Sequence, residues 1–321
     1  MKKIKRIIWF ALFLLVLFFI FKFWWSSQLT AVSSDKTTQI FVIDKGEAFS
    51  KIVANLKKEK LIKSPQAFSA LANQSNLSSK VQPGTFRLSP SMTSREILKT
   101  LSENPLDDWV TLLEGWRIEE MAEKLNTELG IDKAQFLKVA KEGYMFPDTY
   151  LFPRDYSAEQ IAEKLRSTFD LKYSDALKAK IKALGLTETQ GVILASIVER
   201  EARSLEVRTN VASILLKRFK INMALNADAT IQYALGYQNS EKSWWKKRVL
   251  YEDLKIDSAY NTYTHSGFPP APISNPSLSS LTAVANADSS TPYLYYFHDS
   301  KGNTYYGRTL EEHNINVANH R

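Results

Sequence analysis

No cysteine occurs anywhere in the 321 residues, which excludes disulfides and thiolate metal sites and leaves the compartment undecided. Histidine is nearly as scarce. The four present, His265, His298, His313 and His320, are isolated from one another, and no H-E-x-x-H or comparable ligand spacing occurs. The chain also lacks a G-x-S-x-G elbow, a P-loop and a G-x-G-x-x-G fingerprint. No metal and no cofactor are therefore expected. No internal repeat is visible. Of the net charge of +8, five basic residues fall in residues 1–22 with no acidic one, so the rest of the chain carries only +3. That surplus is too small to argue for nucleic acid, though it suits a polyanionic polymer or lipid head groups.

What the chain does have begins at its N-terminus. Behind MKKIKR runs IIWFALFLLVLFFIFKFWW, from Ile7 to Trp25, close to the roughly 20 apolar residues that span a bilayer. Its one charge, Lys22, lies near enough to the end to snorkel. A cleaved signal peptide normally has a shorter apolar region, about 7 to 15 residues, followed by a small-residue site, so a retained anchor is the favoured reading. Lys2, Lys3, Lys5 and Arg6 place the N-terminus in the cytoplasm, and Trp24 and Trp25 suit the far interface. The expected order is a cytoplasmic stretch 1–6, a single transmembrane helix 7–25, and a polar linker 26–38. All later residues then lie outside the inner (cytoplasmic) membrane, in a periplasmic or other extracytoplasmic space.

Beyond the linker the pattern is α+β, without the alternation of a parallel βαβ fold. A strand at Gln39–Ile43 precedes an amphipathic helix at Glu47–Lys58. Ser64 and Pro65 open a second helix at Gln66–Asn73, a strand follows at Thr85–Leu88, and a Thr93/Glu96 capping box opens a helix at Ile97–Leu101. This unit, 39–103, resembles a LysM-like module, whose family role is contact with glycan chains; a simple spacer is the alternative. ENPLDD, Glu103 to Asp108, marks a boundary, and 104–321 forms the larger domain. There a strand is expected at Trp109–Leu113 and helices at Ile118–Leu129, across Ala158–Leu184, at Val207–Phe219 and at Ala229–Leu235. A hairpin pairs Tyr293–Phe297 with Thr304–Tyr306 and precedes a last short helix.

Within that domain Glu201 occupies an unusual position. Thr187 and Gln190 form a T-x-x-Q capping box that opens a helix through ILASIVERE. At about 100° per residue, Ile193, Ile197, Leu194 and Val198 span an arc of roughly 140°; Glu201 falls at roughly 80°, in its middle, and Glu199 near 240°, on the far side. A carboxyl in apolar surroundings is disfavoured in its charged form, which suits a general acid. The alternative is a helix-end carboxylate paired with Arg200, Arg203 or Arg208. A second segment, SAYNTYTHSGFPPAPISNP from Ser258 to Pro276, has neither helical nor strand period and reads as an ordered loop. It fits a binding wall whose tyrosines stack on sugar rings, or else a proline-stiffened connector.

ASIVERE (Ala195 to Glu201), EGYMFPDTY (Glu142 to Tyr150), NADATIQYALG (Asn226 to Gly236), AYNTYTHSGFPP (Ala259 to Pro270) and the late TPYLYYF and EEHN resemble the endolytic murein transglycosylases, the MltG or YceG-like family. The matches run in order from about residue 40 to the C-terminus. The resemblance implies a membrane anchor, a LysM-like subdomain and a catalytic domain. It also implies that the second Glu of the E-x-E pair, Glu201, is the catalytic residue. Phe268 and Ala271 depart from the family pattern, which usually has Leu and Gly there.

A lytic transglycosylase of this kind cleaves the MurNAc–GlcNAc bond of peptidoglycan glycan strands and leaves 1,6-anhydro-MurNAc ends. The muramic acid's own 6-hydroxyl attacks C1, so one carboxylate can serve as acid and then base. A hydrolase normally needs a second carboxylate; the candidates are Glu114, Asp148, Glu199 and Asp228, with Asp228 strongest. Asp228, Asn261, Thr262 and Tyr263 are the expected substrate-binding residues. Two other readings stay open: a non-catalytic wall-binding scaffold, and a muramidase using Glu201 and Asp228. Termination of nascent strands, and partnership with peptidoglycan synthases and division proteins, are implied by the resemblance alone.

Overall fold

The computed structural model describes residues 2–103, 105–154 and 156–320. Two compact units divide the chain, one made of Met1–Trp109 with Leu151–Asp155 and the other of Val110–Tyr150 with Tyr156–Arg321.

The first unit opens with helix α1 (Lys2–Ser27). Among the described residues its apolar part covers Leu12–Ser27, and no single helix is long and apolar enough to cross a membrane. Strand β1 (Gln39–Ile43), helices α2 (Phe49–Lys58) and α3 (Pro65–Gln74), strand β2 (Gly84–Leu88) and helix α4 (Ser94–Glu103) follow in the order read from the sequence. β1 and β2 are antiparallel, with Phe41 opposite Phe86 and Ile43 opposite Gly84. The two-residue period of the strands sends Phe41, Ile43, Phe86 and Leu88 to one face. That face closes on Leu56, Leu61, Phe68, Ile97 and Leu101, all buried, while Ile40 and Val42 stay exposed. The helix starts are set locally. Ser64 Oγ accepts from Ala67 N at 3.2 Å with Pro65 in the first turn, and Glu96 Oε2 accepts from Thr93 N at 2.7 Å. Strand β3 (Asp107–Thr111) ends this run.

The second unit is mostly helical. Helices α5 (Ile118–Leu129) and α6 (Lys133–Val139) come first; the next element, strand β4 (Thr149–Pro153), pairs with β3, and its residues 151–153 belong with residues 107–109 to the first unit. Then come α7 (Ala158–Lys172), α8 (Asp175–Ala183), α9 (Glu188–Glu201), α10 (Leu205–Lys220), α11 (Asp228–Leu235), α12 (Leu278–Ala285), the hairpin β5 (Tyr295–His298) and β6 (Thr304–Gly307), and α13 (Leu310–His320). α9 is the centre of the unit, packed by α8, α10, α11 and α12, and every residue from Gly191 to Glu199 is buried. Gly191 permits this closeness: a Cβ there would lie 2.7 Å from Ile181 Cγ2 of α8, nearer than carbon atoms approach without repacking.

The long loop read from Ser258 to Pro276 is held on α9 by side-chain hydrogen bonds. Ile273 N donates to Ser196 Oγ at 3.0 Å, and Ser274 Oγ donates to the Ser196 carbonyl at 3.0 Å. Asn275 ties the loop to the EGYMF segment, accepting from Met145 N at 2.9 Å and donating to Glu142 Oε1 at 2.9 Å. Gly143, at φ +85°, lies directly under Pro272, leaving no room for a Cβ. Burial pushes the Glu142 carboxyl up to about 8, so it stays protonated at neutral pH as part of this latch. Phe268 stacks on Phe219 of α10, ring centroids 4.2 Å apart, which gives the departure from the family's leucine a packing role.

Candidate active site

Helix α9 delivers two glutamates to different fates. Its start follows the capping box: Thr187 Oγ1 accepts from Gln190 N at 3.1 Å, and Gln190 Oε1 accepts from Thr187 N at 2.9 Å. At its end, the helical wheel puts Glu199 on the far, polar side, yet the Glu199 side chain is only 3% exposed. The wheel assumes an amphipathic helix, whereas α9 is enclosed all round. Glu199 is made tolerable there by Arg208 Nη2 at 2.6 Å, Ser277 Oγ at 2.6 Å and Ser277 N at 2.8 Å, all donating to it. Arg208 also donates to the Ala202 carbonyl at 3.0 Å, closing the C-terminus of α9 and fixing the chain direction past Glu201. Glu199 is thus spent on holding α9, α10 and the start of α12 together.

Glu201, the last residue of α9, is only partly covered. Desolvation is the largest influence on its carboxyl, and the Asp228 charge adds to it. The Tyr296 hydroxyl, the Ala229 backbone N–H and Arg200 act the other way, and together these hold Glu201 at about 7, against an ordinary value of 4.5. Near neutral pH it can both give and take a proton. Arg200 does not pair with it as a surface ion pair would: the guanidinium lies over the Trp245 ring, 3.8 Å from the centroid, and reaches the Gly115 carbonyl at 3.4 Å.

A cavity of about 610 Å³ opens beside Glu201. One wall is the α9–α10 connection with Arg203 and Ser204; the other is the β5–β6 turn with His298, Asp299 and Lys301. That volume accommodates a sugar unit with its substituents.

The four expected binding residues divide into two pairs. Asp228, at the start of α11, is exposed, and its Oδ1 accepts from the Tyr263 hydroxyl at 2.6 Å; both lie within the electrostatic reach of Glu201. Burial, then the Asp228 carboxylate, keep the Tyr263 phenol well above its usual range. Asn261 and Thr262 are fully buried. Asn261 Nδ2 donates to the Leu254 and Ile256 carbonyls at 2.9 Å each, and its Oδ1 accepts from Tyr263 N at 3.0 Å. Thr262 Oγ1 accepts from Ala227 N at 3.1 Å. Their polar groups are committed to the fold: Asn261 shapes the loop so that Tyr263 faces Asp228, and Thr262 seats the start of α11 so that the Ala229 N–H faces Glu201. Of the other carboxylates, Glu114 is raised by burial and by Glu199, and Asp148 lies beside β4, where its backbone carbonyl accepts from Leu112 N at 3.0 Å.

Two groups in the site have no counterpart in the sequence reading. Tyr296 lies within the TPYLYYF segment, and its strand alternation was the available signal; burial raises its phenol far above the usual range. Arg218, on α10, donates to the Leu294 and Leu225 carbonyls at 2.7 and 2.8 Å, anchoring the strand that carries Tyr296. Among the described residues no cluster of three His, Asp or Glu side chains is placed to hold a metal ion.

Compared with known protein families, residues 41–319 match the YceG-like family. The chain belongs to the YceG-like family. Among relatives, the endolytic murein transglycosylase of Bacillus subtilis is 31% identical over 90% of this chain and 86% of its own length. The endolytic murein transglycosylase of Streptococcus pneumoniae is 27% identical over 87% of this chain, which spans 57% of that longer protein. A crystal structure of a YceG-like protein from Listeria monocytogenes is similar with a TM-score of 0.61 and 28% identity, covering 87% of this chain and 99% of that one.

Proposed function

We propose that this YceG-like protein is a lytic transglycosylase that cleaves the MurNAc–GlcNAc bond within peptidoglycan strands. The observation that carries the reading is Glu201: a carboxyl held near 7 at the edge of a cavity large enough for a sugar, with a tyrosine hydroxyl and a backbone N–H facing it. Protonated Glu201 gives its proton to the glycosidic oxygen as the C1–O bond breaks. The resulting carboxylate, favoured by Tyr296 and Ala229 N–H, removes the proton from the muramic 6-hydroxyl as that oxygen bonds to C1. The products are a free 4-hydroxyl on the departing strand and a 1,6-anhydro ring, and Glu201 returns to its starting state.

A hydrolytic outcome is the second reading, favoured by the exposed Asp228 carboxylate acting on Glu201. Asp228 would then orient a water toward C1. The identity of the new ends separates the two: full-length protein incubated with uncrosslinked strands yields anhydro-MurNAc by mass spectrometry if the 6-hydroxyl attacks, and ordinary reducing ends if water does.

The apolar run Ile7–Trp25 behind a basic start supports a retained anchor in the cytoplasmic membrane, with the N-terminus inside and the catalytic unit outside. The βααβ unit at 39–103 serves as a LysM-like contact to glycan. Cleavage by a tethered enzyme near the membrane suits termination of nascent strands, alongside the synthases and division proteins that make them.

A further inference from the structure

The cavity beside Glu201 has a charge pattern that a neutral disaccharide does not explain. Of its acidic lining residues, Glu199 is neutralised by Arg208, and Glu201 keeps its proton up to about pH 7. Asp299 stays ionised: the Asn303 side chain above all holds its carboxyl below the usual carboxylate range, and it accepts from Lys301 N at 2.9 Å and from Asn303 N and Nδ2 at 2.8 Å each. Burial disfavours the charged form of His298, against the pull of Asp299. Arg200, which also lines the cavity, is turned onto the Trp245 ring, leaving two further cations on opposing walls, Arg203 on the α9–α10 connection and Lys301 at the tip of the hairpin turn. Both are exposed, and among the described residues neither side chain makes an ion pair. With one unpaired ionised acid, Asp299, set against three cations, the cavity beside Glu201 carries net positive charge.

We propose that Arg203 and Lys301 form a subsite for a carboxylate carried on a side branch of the substrate, namely the peptide attached to the muramic acid. The inference rests on the glycan-cleaving reading given above. In uncrosslinked strands the sugars themselves are uncharged, so the free carboxylates of the stem peptide are the anions that such a subsite meets. A guanidinium from one wall and an ammonium from the other grip a carboxylate while leaving the glycan chain free to run past Glu201. The site thereby selects peptide-bearing strands over strands whose peptides carry no free carboxylate.

The test uses full-length protein in detergent and two substrates: uncrosslinked strands with free stem carboxylates, and the same strands after carbodiimide amidation of those carboxylates. Binding to both is measured in parallel with the Glu201→Gln protein, by co-sedimentation. Two partly exposed ion pairs predict that amidation raises KM and Kd about tenfold. Arg203→Gln with Lys301→Gln raises both by a similar factor on untreated strands and abolishes the effect of amidation. Equal Kd for the two substrates, or a double variant that still discriminates between them, overturns the subsite. If neither substrate is cleaved, the catalytic reading fails, while the Kd ratio still decides the subsite.

Discussion

Replacing Glu201 by Gln is expected to stabilise the protein, and far more at neutral and alkaline pH than at pH 5. In the unfolded chain the carboxyl ionises with its ordinary value of 4.5, whereas in the folded protein it keeps its proton to about 7. Between these values the folded state binds more protons than the unfolded one, so stability falls as pH rises, by about 1.4 kcal/mol per unit. The accumulated cost is under about 1 kcal/mol at pH 5 and reaches roughly 3 kcal/mol at pH 8. Glutamine occupies the same space and never ionises, so the variant escapes that cost. The raised Glu142 is present in both proteins and cancels in the difference. For a unit of this size the gap corresponds to a rise in Tm of roughly 6 to 10 °C at pH 8 and a few degrees at most at pH 5. Thermal unfolding of both full-length proteins at the two pH values measures it. A gap that is the same at both pH values, or a variant less stable than the parent at pH 8, refutes the placement of Glu201 in a desolvated site.

Three further outcomes follow from the same geometry. Tyr296→Phe removes a donor that favours ionised Glu201, so the alkaline limb of the activity profile moves to higher pH by about one unit; a limb that stays in place or moves down contradicts the contact. Arg208→Ala leaves Glu199 buried and unpaired and should cost about 3 to 5 kcal/mol in denaturant unfolding, with Glu199→Gln plus Arg208→Met recovering much of it. Gly191→Ala drives a methyl to within 2.7 Å of Ile181 and should lower stability by about 1 to 3 kcal/mol; a neutral effect means α8 and α9 are not so tightly packed.

Local chemistry was legible in the sequence, long-range compensation was not. The capping boxes at Thr93/Glu96 and Thr187/Gln190 are hydrogen bonds between residues three apart; α9 starts where its box predicts, while α4 begins at Ser94, directly after Thr93 and three residues before the expected Ile97. The hairpin is placed at Tyr295–His298 and Thr304–Gly307, one or two residues from expectation. Helices α6 and α12 and strand β4 were not anticipated; α12, for one, depends on packing against α9 and α10. Glu199 shows the limit most clearly. Its burial is stabilised by Arg208, 9 residues on, and Ser277, 78 residues on, and no local period carries that information. Thr262 is of the same kind, a polar loop residue whose hydroxyl is taken up by the Ala227 backbone 35 residues away, while Asn261 is spent on backbone of its own loop, at Leu254 and Ile256. Tyr296 enters the site through the β5–β6 pairing and Arg218 through α10, neither near Glu201 in the chain.

The most direct test of the central claim, that Glu201 is both the acid and the base, is product analysis of uncrosslinked peptidoglycan strands treated with full-length protein and with Glu201→Gln. The account predicts anhydro-MurNAc ends from the parent and none from a variant that is folded and still binds the strands. Continued cleavage by Glu201→Gln would contradict it and move the chemistry to another residue of the cavity.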